Sequence, residues 1–358
     1  MEPDKFLEMY RLHVSKKVLF VFACIAISLF VILLNVSIGL YDISFMDSYR
    51  VLMDHLTGNL PSPDDYVGLR EDMIIWDQRL PRALAAMLVG AGLGICGAAM
   101  QSSLKNPLAD PYTTGISSGA SLGVALCVVM GISLFPAGPP ELRIIINAFV
   151  FSLIPAAVII MVTRFHKSTP TTMILTGVAV MYIFSATSSL IMLIADPDDL
   201  QEVYNWNLGN LGAVSWEELP FVLTAAVLGT ALLSLAWKRL NLLAMDDESA
   251  SSLGLNPRTT RTLILIVVSL CTSMLVSFTG TIGFVGLVAP HIVRLFLGSN
   301  NRYLLPAAAM FGGMFLLLAD SVAKVAGPTD LPVGVITSLV GGPLFLYILL
   351  RQRKSQWR

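Results

Sequence analysis

Two arginines at the start of an apolar segment are the first residues whose spacing suggests chemistry. Arg79-Leu-Pro-Arg82 places two guanidinium groups three residues apart, on the same side of a starting helix. A guanidinium offers two parallel hydrogen bonds to a carboxylate, so the pair could dock acidic residues of an external protein. The alternative is that both arginines anchor the helix at the membrane surface.

A second pair of charges lies near the far end of another apolar segment. Asp320 and Lys324 are four residues apart, so they can pair along one helix face. An unpaired charge at that depth is disfavoured by up to a few kcal/mol. The two side chains either neutralise each other, or Lys324 emerges beside the arginines as a third basic contact.

Two proline-containing turns lie at the ends of apolar segments, on the side opposite to the charged pairs described above. Asn106-Pro-Leu-Ala-Asp-Pro111 ends one helix and delays the next, because proline cannot continue a helix. Thr169-Pro-Thr-Thr172 begins a helix, where proline suits the first turn and hydroxyls can cap free N–H groups. Both are rigid turns at minimum.

Several enzymatic patterns are absent or misplaced. Gly92-Leu-Gly94-Ile-Cys-Gly97 matches the dinucleotide pattern G-x-G-x-x-G, but it lies in an apolar segment, where small residues favour close helix packing. The sequence has no G-x-x-x-x-G-K-[ST] loop, so a partner must perform any nucleotide hydrolysis. The four cysteines and four histidines are scattered and form no metal-binding motif.

The composition is that of an integral membrane protein. The 358 residues are 55% hydrophobic and 13% charged, with a mean hydropathy of +0.74 and a net charge of -1. A spanning helix needs roughly 20 apolar residues, because backbone polar groups must be satisfied internally in lipid. Ten such segments are predicted, the first an uncleaved span: 18–40, 83–104, 114–134, 144–163, 171–195, 219–237, 262–282, 284–297, 303–325 and 333–350.

Charge distribution orients these segments. With the N-terminus inside, only six of the 23 Lys and Arg residues fall outside, in agreement with the positive-inside rule. Both termini are therefore expected in the cytoplasm. The long segments 41–79 and 196–218 are expected to be external loops, and 238–261 an internal one. In the internal loop Asp246 or Asp247 can cap a short helix that Gly254 ends. The junction between the seventh and eighth segments, rich in glycine, is either a turn or a broken helix.

From Trp76 to Leu350 the chain resembles the FecCD family, the permease subunits of ATP-driven importers for vitamin B12, iron-siderophore complexes and haem. The resemblance rests on several long motifs in the same order. They are Arg79-Leu-Pro-Arg82, the Asn106–Pro111 turn with Gly115-Ile-Ser-Ser-Gly119, the loop Asn241–Gly254, Gly283-Phe-Val-Gly-Leu-Val-Ala-Pro-His-Ile-Val-Arg294, and Leu331-Pro-Val-Gly-Val-Ile-Thr-Ser-Leu-Val-Gly-Gly-Pro343.

The resemblance implies an all-α polytopic membrane protein with the vitamin B12 permease-like, type II ABC importer fold. Residues 1–358 would form a single permease domain with ten transmembrane helices per subunit, in the cytoplasmic (inner) membrane of a bacterium or archaeon. The implied partners are a second copy of the chain, two ATP-binding cassette ATPase subunits and an external solute-binding protein, with no nucleic acid. ATP and Mg would bind the ATPase, and no cofactor would bind this chain.

The resemblance also implies roles for particular residues. Arg79, Arg82 and Lys324 would dock the binding protein, although Lys324 replaces an arginine of the vitamin B12 permease. The cytoplasmic gate would comprise Asn106, Leu108, Thr171 and Thr172. Coupling to the ATPase would use the loop residues Met245, Asp247, Glu248, Leu253 and Gly254. The expected solute is a metal chelate, a ferric siderophore foremost, then cobalamin or haem.

Two other functions are weighed against transport driven by ATP. An ion-coupled secondary transporter keeps ionisable residues at mid-membrane, and Asp320 is the charged candidate within a span, with Lys324 as its neighbour. A membrane metalloprotease would need a ligand set such as H-E-x-x-H, which the sequence lacks.

Overall fold

The computed structural model describes residues 3–165, 169–327 and 329–353, and within these ranges the chain is helical with no strand. Short 3₁₀ turns occupy Pro111–Thr114 and Leu211–Ala213, and Met73–Arg79 forms a π-helical turn. The α-helices are α1 Pro3–Ser37, α2 Phe45–Thr57, α3 Tyr66–Asp72, α4 Leu80–Ser103, α5 Ile116–Val128, α6 Pro140–Phe165, α7 Pro170–Met192, α8 Pro197–Asn207, α9 Leu219–Leu235, α10 Trp237–Leu243, α11 Asp247–Ser252, α12 Pro257–Thr279, α13 Val285–Leu297, α14 Asn301–Ala323 and α15 Val333–Arg353.

Six helical stretches of the described chain are long and apolar enough to cross a membrane, and a seventh follows if the bent pair α9 and α10 is one span. The remaining predicted segments coincide with shorter apolar stretches, Ile116–Val128, Val285–Leu297 and Val333–Ile348. The all-helical membrane fold is therefore confirmed, whereas the count of ten spans stays a prediction. So does the charge-based orientation, and three of the basic residues that it counts, Lys167, Lys354 and Arg358, lie outside the described residues.

The segment 41–79, predicted to be an external loop, is largely helical. It contains α2, α3 and the π-helical turn, which runs directly into α4 and makes one continuous helical stretch over Tyr66–Ser103. Ser44 caps α2 by accepting a hydrogen bond from Asp47, and Asp65 caps α3 by accepting one from Gly68. The segment 196–218 likewise contains α8 and a 3₁₀ turn. Some of the acidic residues lie at helix starts, such as Asp65 before α3 and Asp198 and Asp199 in the first turn of α8.

Glycines make α4 the central helix of the protein. A side-chain carbon on Gly90 would overlap the backbone of Gly312 in α14, and one on Gly97 would overlap the backbone of Gly286 in α13. Gly94 meets α14 in the same way, at the Ala308 carbonyl. Small residues therefore let α13 and α14 approach α4 closely, which confirms helix packing for the G-x-G-x-x-G pattern.

The glycine-rich junction after α12 is a break in regular helix. Gly280 has a φ of +68°, a conformation that glycine adopts without steric cost, and it ends α12 one residue after Thr279. Phe284 also has a positive φ, and α13 begins at Val285. The free N–H of Ile282 donates a hydrogen bond to the Tyr112 hydroxyl, so the broken segment is attached to the turn that precedes α5.

Candidate functional site

At the end of the protein where α1 and α14 finish, Arg82 is the centre of a buried ionic cluster. Its Nε donates a hydrogen bond of 2.8 Å to Asp320, and its Nη1 donates one of 2.5 Å to Asp330. The Asp320 side chain is fully buried, whereas that of Asp330 is 45% exposed. One guanidinium therefore joins a permanent internal partner and a partner that water can reach.

Lys324 and Asn35 extend this cluster to α1. The Lys324 ammonium donates to the side-chain oxygen of Asn35 at 2.6 Å and lies 3.8 Å from Asp320. The Asn35 amide donates in turn to Asp320 at 3.1 Å. The predicted charge pair Asp320–Lys324 is present, but Arg82 is the closer partner of Asp320.

Arg79 is satisfied differently, by backbone oxygens alone. Its guanidinium donates to the carbonyls of Val36, Ser37 and Tyr41 at 3.1, 3.0 and 2.5 Å. The carbonyls in the last turn of α1 have no N–H partner within the helix, so Arg79 caps that helix end. The same interaction ties the start of α4 to α1.

The structure brings the three predicted docking residues together but buries them. Arg79, Arg82 and Lys324 line one cavity of about 330 Å³, and each side chain is less than a tenth exposed. Carbonyl and carboxylate partners within the chain already hold both guanidinium groups. Binding-protein docking by these residues stays a prediction.

Sequence reasoning did not single out Asn35 or Asp330. Asn35 lies in the apolar first segment, where an amide needs buried partners, and that requirement is the signal that could have found it. Asp330 follows α14 in a short polar stretch and carries no local signature of a partner 248 residues away.

A second ionic cluster lies at the other end of α4, around Asp247. Arg261 of α12 donates two hydrogen bonds of 2.7 Å to the Asp247 carboxylate, one from each terminal nitrogen. Arg261 is 1% exposed, and its Nε also donates to the Ser103 carbonyl at 3.1 Å. Lys105 adds a third contact to Asp247 at 3.1 Å. We call Asp247, Arg261, Ser103 and Lys105 the inner clamp.

The inner clamp changes the ionisation of Asp247. Hydrogen bonds from Arg261, together with those from Lys105, lower the pKa of Asp247 to about 2. Asp246 next to it caps α11 by accepting from the Ser249 N–H, which also lowers the pKa of Asp246. The capping expectation for this loop is thereby confirmed, and Gly254, at a φ of +84°, follows the helix end.

The other predicted coupling residues point away from the clamp. Met245 and Leu253 are 46% and 61% exposed, and Glu248 is exposed between them. Exposed apolar side chains that flank both ends of a short helix, beside polar residues, suit a protein contact surface. Asp247 faces the permease and its neighbours face outward.

Asparagines make a further link across the same end of the protein. Asn241 in α10 accepts hydrogen bonds from the backbone and side chain of Asn301, at 2.8 and 3.0 Å. Asn301 in turn accepts one from Ser102, near the end of α4, at 2.8 Å. The loop is therefore tied to α4 and to α14 as well as to α12.

The predicted gate residues fall into two separate turns. Asn106 accepts a hydrogen bond from the Leu108 N–H at 2.9 Å, and the Leu108 side chain is 48% exposed. Thr169 caps α7 by accepting from the Thr172 N–H, and Thr171 is exposed beside it. Within the described chain no hydrogen bond joins the two turns, so their action as a gate stays a prediction.

A separate open cavity of about 480 Å³ lies beside the break between α12 and α13. Its polar lining is neutral: it comes from hydroxyl and amide side chains and from glycine backbone near the break after α12. The lining residues are Tyr112, Ser117, Asn207, Leu208, Thr281, Gly283, Gly334, Val335, Ser338 and Leu339. Such a surface can contact a polar solute without holding it by charge.

Comparison with known proteins gives a consistent result. Residues 27–351 match the family model described as the FecCD transport family. A protein of Methanocaldococcus jannaschii assigned as an ABC transporter permease is 38% identical and is aligned over 96% of this chain and 98% of its own. The hemin transport system permease protein HmuU of Yersinia pestis is 39% identical over 79% of this chain and 85% of its own.

Two further similarities extend the comparison. The vitamin B12 import system permease protein BtuC of Serratia proteamaculans is 37% identical over 81% of this chain and 85% of its own. The solved inward-facing conformation of a protein assigned as a metal-chelate type ABC transporter matches with a TM-score of 0.79 at 28% identity. It covers 92% of this chain and 98% of that one.

Proposed function

The chain belongs to the FecCD transport family and is the multi-pass permease of an ABC importer; we propose that it carries a metal-chelate solute, a ferric siderophore foremost, through the inner membrane of a bacterium or archaeon. Separate ATPase subunits hydrolyse the ATP in this family. On this proposal those subunits hold ATP and Mg, this chain binds no cofactor, and both of its termini lie in the cytoplasm.

The inner clamp is the observation that carries the coupling mechanism. The exposed residues Met245, Glu248 and Leu253 would seat on an ATPase subunit, while Asp247 holds the same short helix to Arg261 and to the end of α4. The turn that bears Asn106 and Leu108 follows α4 directly. A displacement of α11 by the ATPase would therefore be transmitted from Asp247 to Arg261, from Arg261 to the end of α4 at Ser103, and from there to the proposed gate.

The solute path would lie between two copies of the chain. The neutral cavity opens beside α15, whose Leu339 is 66% exposed, and beside the start of α5. On the resemblance, a second copy would close this opening and the path would follow the dimer axis. A neutral lining favours passage over capture, because a solute that binds tightly in the path would leave slowly.

Delivery would depend on an external binding protein at the buried arginines. Arg82 offers its second arm only if a carboxylate of the binding protein replaces the partly exposed Asp330. Alternating access needs partners that bind the outward and inward states differently, since equal affinity shifts no equilibrium. The binding protein on one side and ATP on the other would supply that difference.

The solute class follows from the relatives and is open to direct test. The similar proteins include permeases named for hemin, ferric citrate and vitamin B12. Vesicles containing the permease, its ATPase and its binding protein should accumulate radioactive ferric siderophore in preference to cyanocobalamin or haemin when ATP is supplied. Preferential uptake of one of the other two would transfer the proposal to that solute.

The same vesicles test the mechanism against the ion-coupled alternative. Asp320, the charged candidate of that alternative, is bound by both Arg82 and Lys324 and lies at the end of α14. Uptake should require ATP hydrolysis and both partners. Uptake driven by a proton or sodium gradient, with no ATP, would refute the importer proposal.

A further inference from the structure

The helix α2 carries an apolar stripe that the described part of the chain leaves uncovered. Met46 is 71% exposed, Met53 59% and Leu56 70%, although all three are large apolar side chains. With the half-buried Tyr49, they stand three, four and three residues apart. This spacing places all four on one face of the helix.

The other faces of α2 are of different character. Val51, Leu52 and His55 are half-buried against the chain, and Ser48 is fully buried. The third face is polar and bears Asp47, Arg50, Asp54 and Thr57. One face of α2 packs against the protein and its polar face suits water. The exposed apolar face therefore requires a third, apolar environment.

The stripe lies next to the part of α1 that faces lipid. The Tyr49 hydroxyl donates a hydrogen bond of 2.7 Å to the Leu33 carbonyl, one turn before α1 ends. Around it Leu29, Phe30 and Leu33 are 47% to 60% exposed, on the apolar span Ser15–Ser37. The apolar surface of α2 is therefore continuous with the apolar surface by which α1 meets the bilayer.

We propose that α2 lies along the outer membrane–water boundary, with the Met46–Leu56 stripe inserted among lipids and the polar face toward water. Amphipathic helices of this kind bury their apolar face at the boundary between headgroups and acyl chains, and tyrosine is enriched at that depth. The polar face has two aspartates and one arginine, so attachment depends on apolar burial rather than on anionic headgroups.

With α2 anchored in the interface, the ionic cluster around Arg82 would be held at a fixed depth relative to the bilayer. His55 of α2 contacts Asp72 at 2.9 Å and stacks on Trp76 in the π-helical turn that leads to Arg79. A helix held in the interface therefore holds the first turn of α4 at a set depth. This inference concerns the bilayer alone and does not depend on which solute is transported.

Nitroxide labels on single cysteines test the placement in the reconstituted, full-length permease. Met46→Cys and Met53→Cys report on the stripe, and Arg50→Cys and Asp54→Cys are matched positions on the polar face of the same helix. Collision with dissolved oxygen, which partitions into lipid, is compared with collision with a water-soluble nickel chelate. The unmodified protein gives the background of its native cysteines.

The ratio of oxygen to nickel collisions should be several-fold higher at 46 and 53 than at 50 and 54. It should be the same in neutral and in anionic phospholipid vesicles, and at low and high salt. Met53→Asp should move a label at 46 into water, whereas Arg50→Asp should not. Equal nickel access at all four positions would show that the stripe faces water, and would overturn the proposal in favour of a surface left open for a soluble partner. Protection of the stripe from both reagents would overturn it in favour of a protein contact.

Discussion

Replacing Asp247 by asparagine should uncouple ATP hydrolysis from transport. Arg261 is 1% exposed and donates two of its hydrogen bonds to the Asp247 carboxylate. Asparagine has nearly the same shape, but its amide turns N–H donors toward one guanidinium nitrogen and removes the negative charge. Arg261 then keeps one hydrogen bond to the amide oxygen and the one to the Ser103 carbonyl, but it loses the second side-chain hydrogen bond and the negative charge of its partner.

The size of the effect follows from burial on each side. Hydrogen bonds to charged groups contribute about 1.5–3 kcal/mol, and removing one partner of a buried ion pair costs about 3–5 kcal/mol. Because the Asp247 side chain is 47% exposed, water can replace part of the loss, so about 2 kcal/mol is expected. At roughly 1.4 kcal/mol per factor of ten, the equilibrium ratio of intact to broken clamp falls about 30-fold.

The assay measures solute uptake and ATP hydrolysis in the same vesicles. Asp247→Asn should lower the number of solute molecules moved per ATP by about an order of magnitude while hydrolysis continues. Arg261→Lys should fall between, because lysine keeps the charge but not the two-pronged contact. Asp64→Asn, the same chemical change at an exposed position, serves as control. An unchanged transport ratio for Asp247→Asn would refute the clamp as the coupling link.

The pH dependence of the clamp has a definite sign. The folded-state pKa of Asp247 is lowered to about 2, below the ordinary value of about 3.9. Its stabilisation is therefore fully present above about pH 4 and is lost as pH falls toward about 2. The transport ratio should be constant from about pH 5 to 8, and a step in that range would show that Asp247 is not the controlling group.

Three further changes probe packing, docking and assembly. Gly97→Ala should destabilise the permease by about 1–3 kcal/mol or more in thermal unfolding, because the new carbon overlaps a backbone carbonyl of α13; Gly283→Ala, whose new carbon lies at an ordinary contact distance of 3.8 Å from the Ser338 hydroxyl, should not. Asp330→Asn should free one arm of Arg82, so that the binding protein associates several-fold more tightly and more salt-dependently; identical association isotherms would argue against docking there. Leu339→Cys should form a disulfide-linked dimer on oxidation, and its absence would count against a dimer axis beside α15.

Local patterns predicted the helical membrane architecture well. Apolar segment length depends on bilayer thickness, so each predicted segment coincides with an apolar helix of the described chain. The cap at Asp246 and the packing role of Gly90–Gly97 were also predicted from local patterns, although the glycines pack against helices that are distant in sequence. Spacing alone was sufficient for these features.

Long-range partners could not be predicted in this way. Asn35 and Lys324 meet across 289 positions, and Arg82 and Asp330 across 248. Sequence placed Arg82 at the membrane surface because it begins an apolar segment, and no local pattern indicates which carboxylates it binds. In the structure, two aspartates from the far end of the chain bind Arg82. Because these partners compensate its charge, the Arg82 side chain can be buried.

The helical character of 41–79 was missed for a related reason. Its acidic and proline residues resemble those of a loop, but Ser44 and Asp65 act as helix caps. Amphipathic helices at a membrane surface have low mean hydropathy, so a window tuned to spans passes over them.

The central claim is that the ionic cluster around Arg82 and the inner clamp face opposite compartments and are joined through α4. Sided labelling tests this claim most directly. Single cysteines at Asp64, between α2 and α3, and at Ser251, in α11, are exposed positions on the two sides. In sealed, uniformly oriented vesicles, a membrane-impermeant maleimide should label one of them from outside and the other only after the vesicles are opened. Labelling of both from the same side would contradict the account.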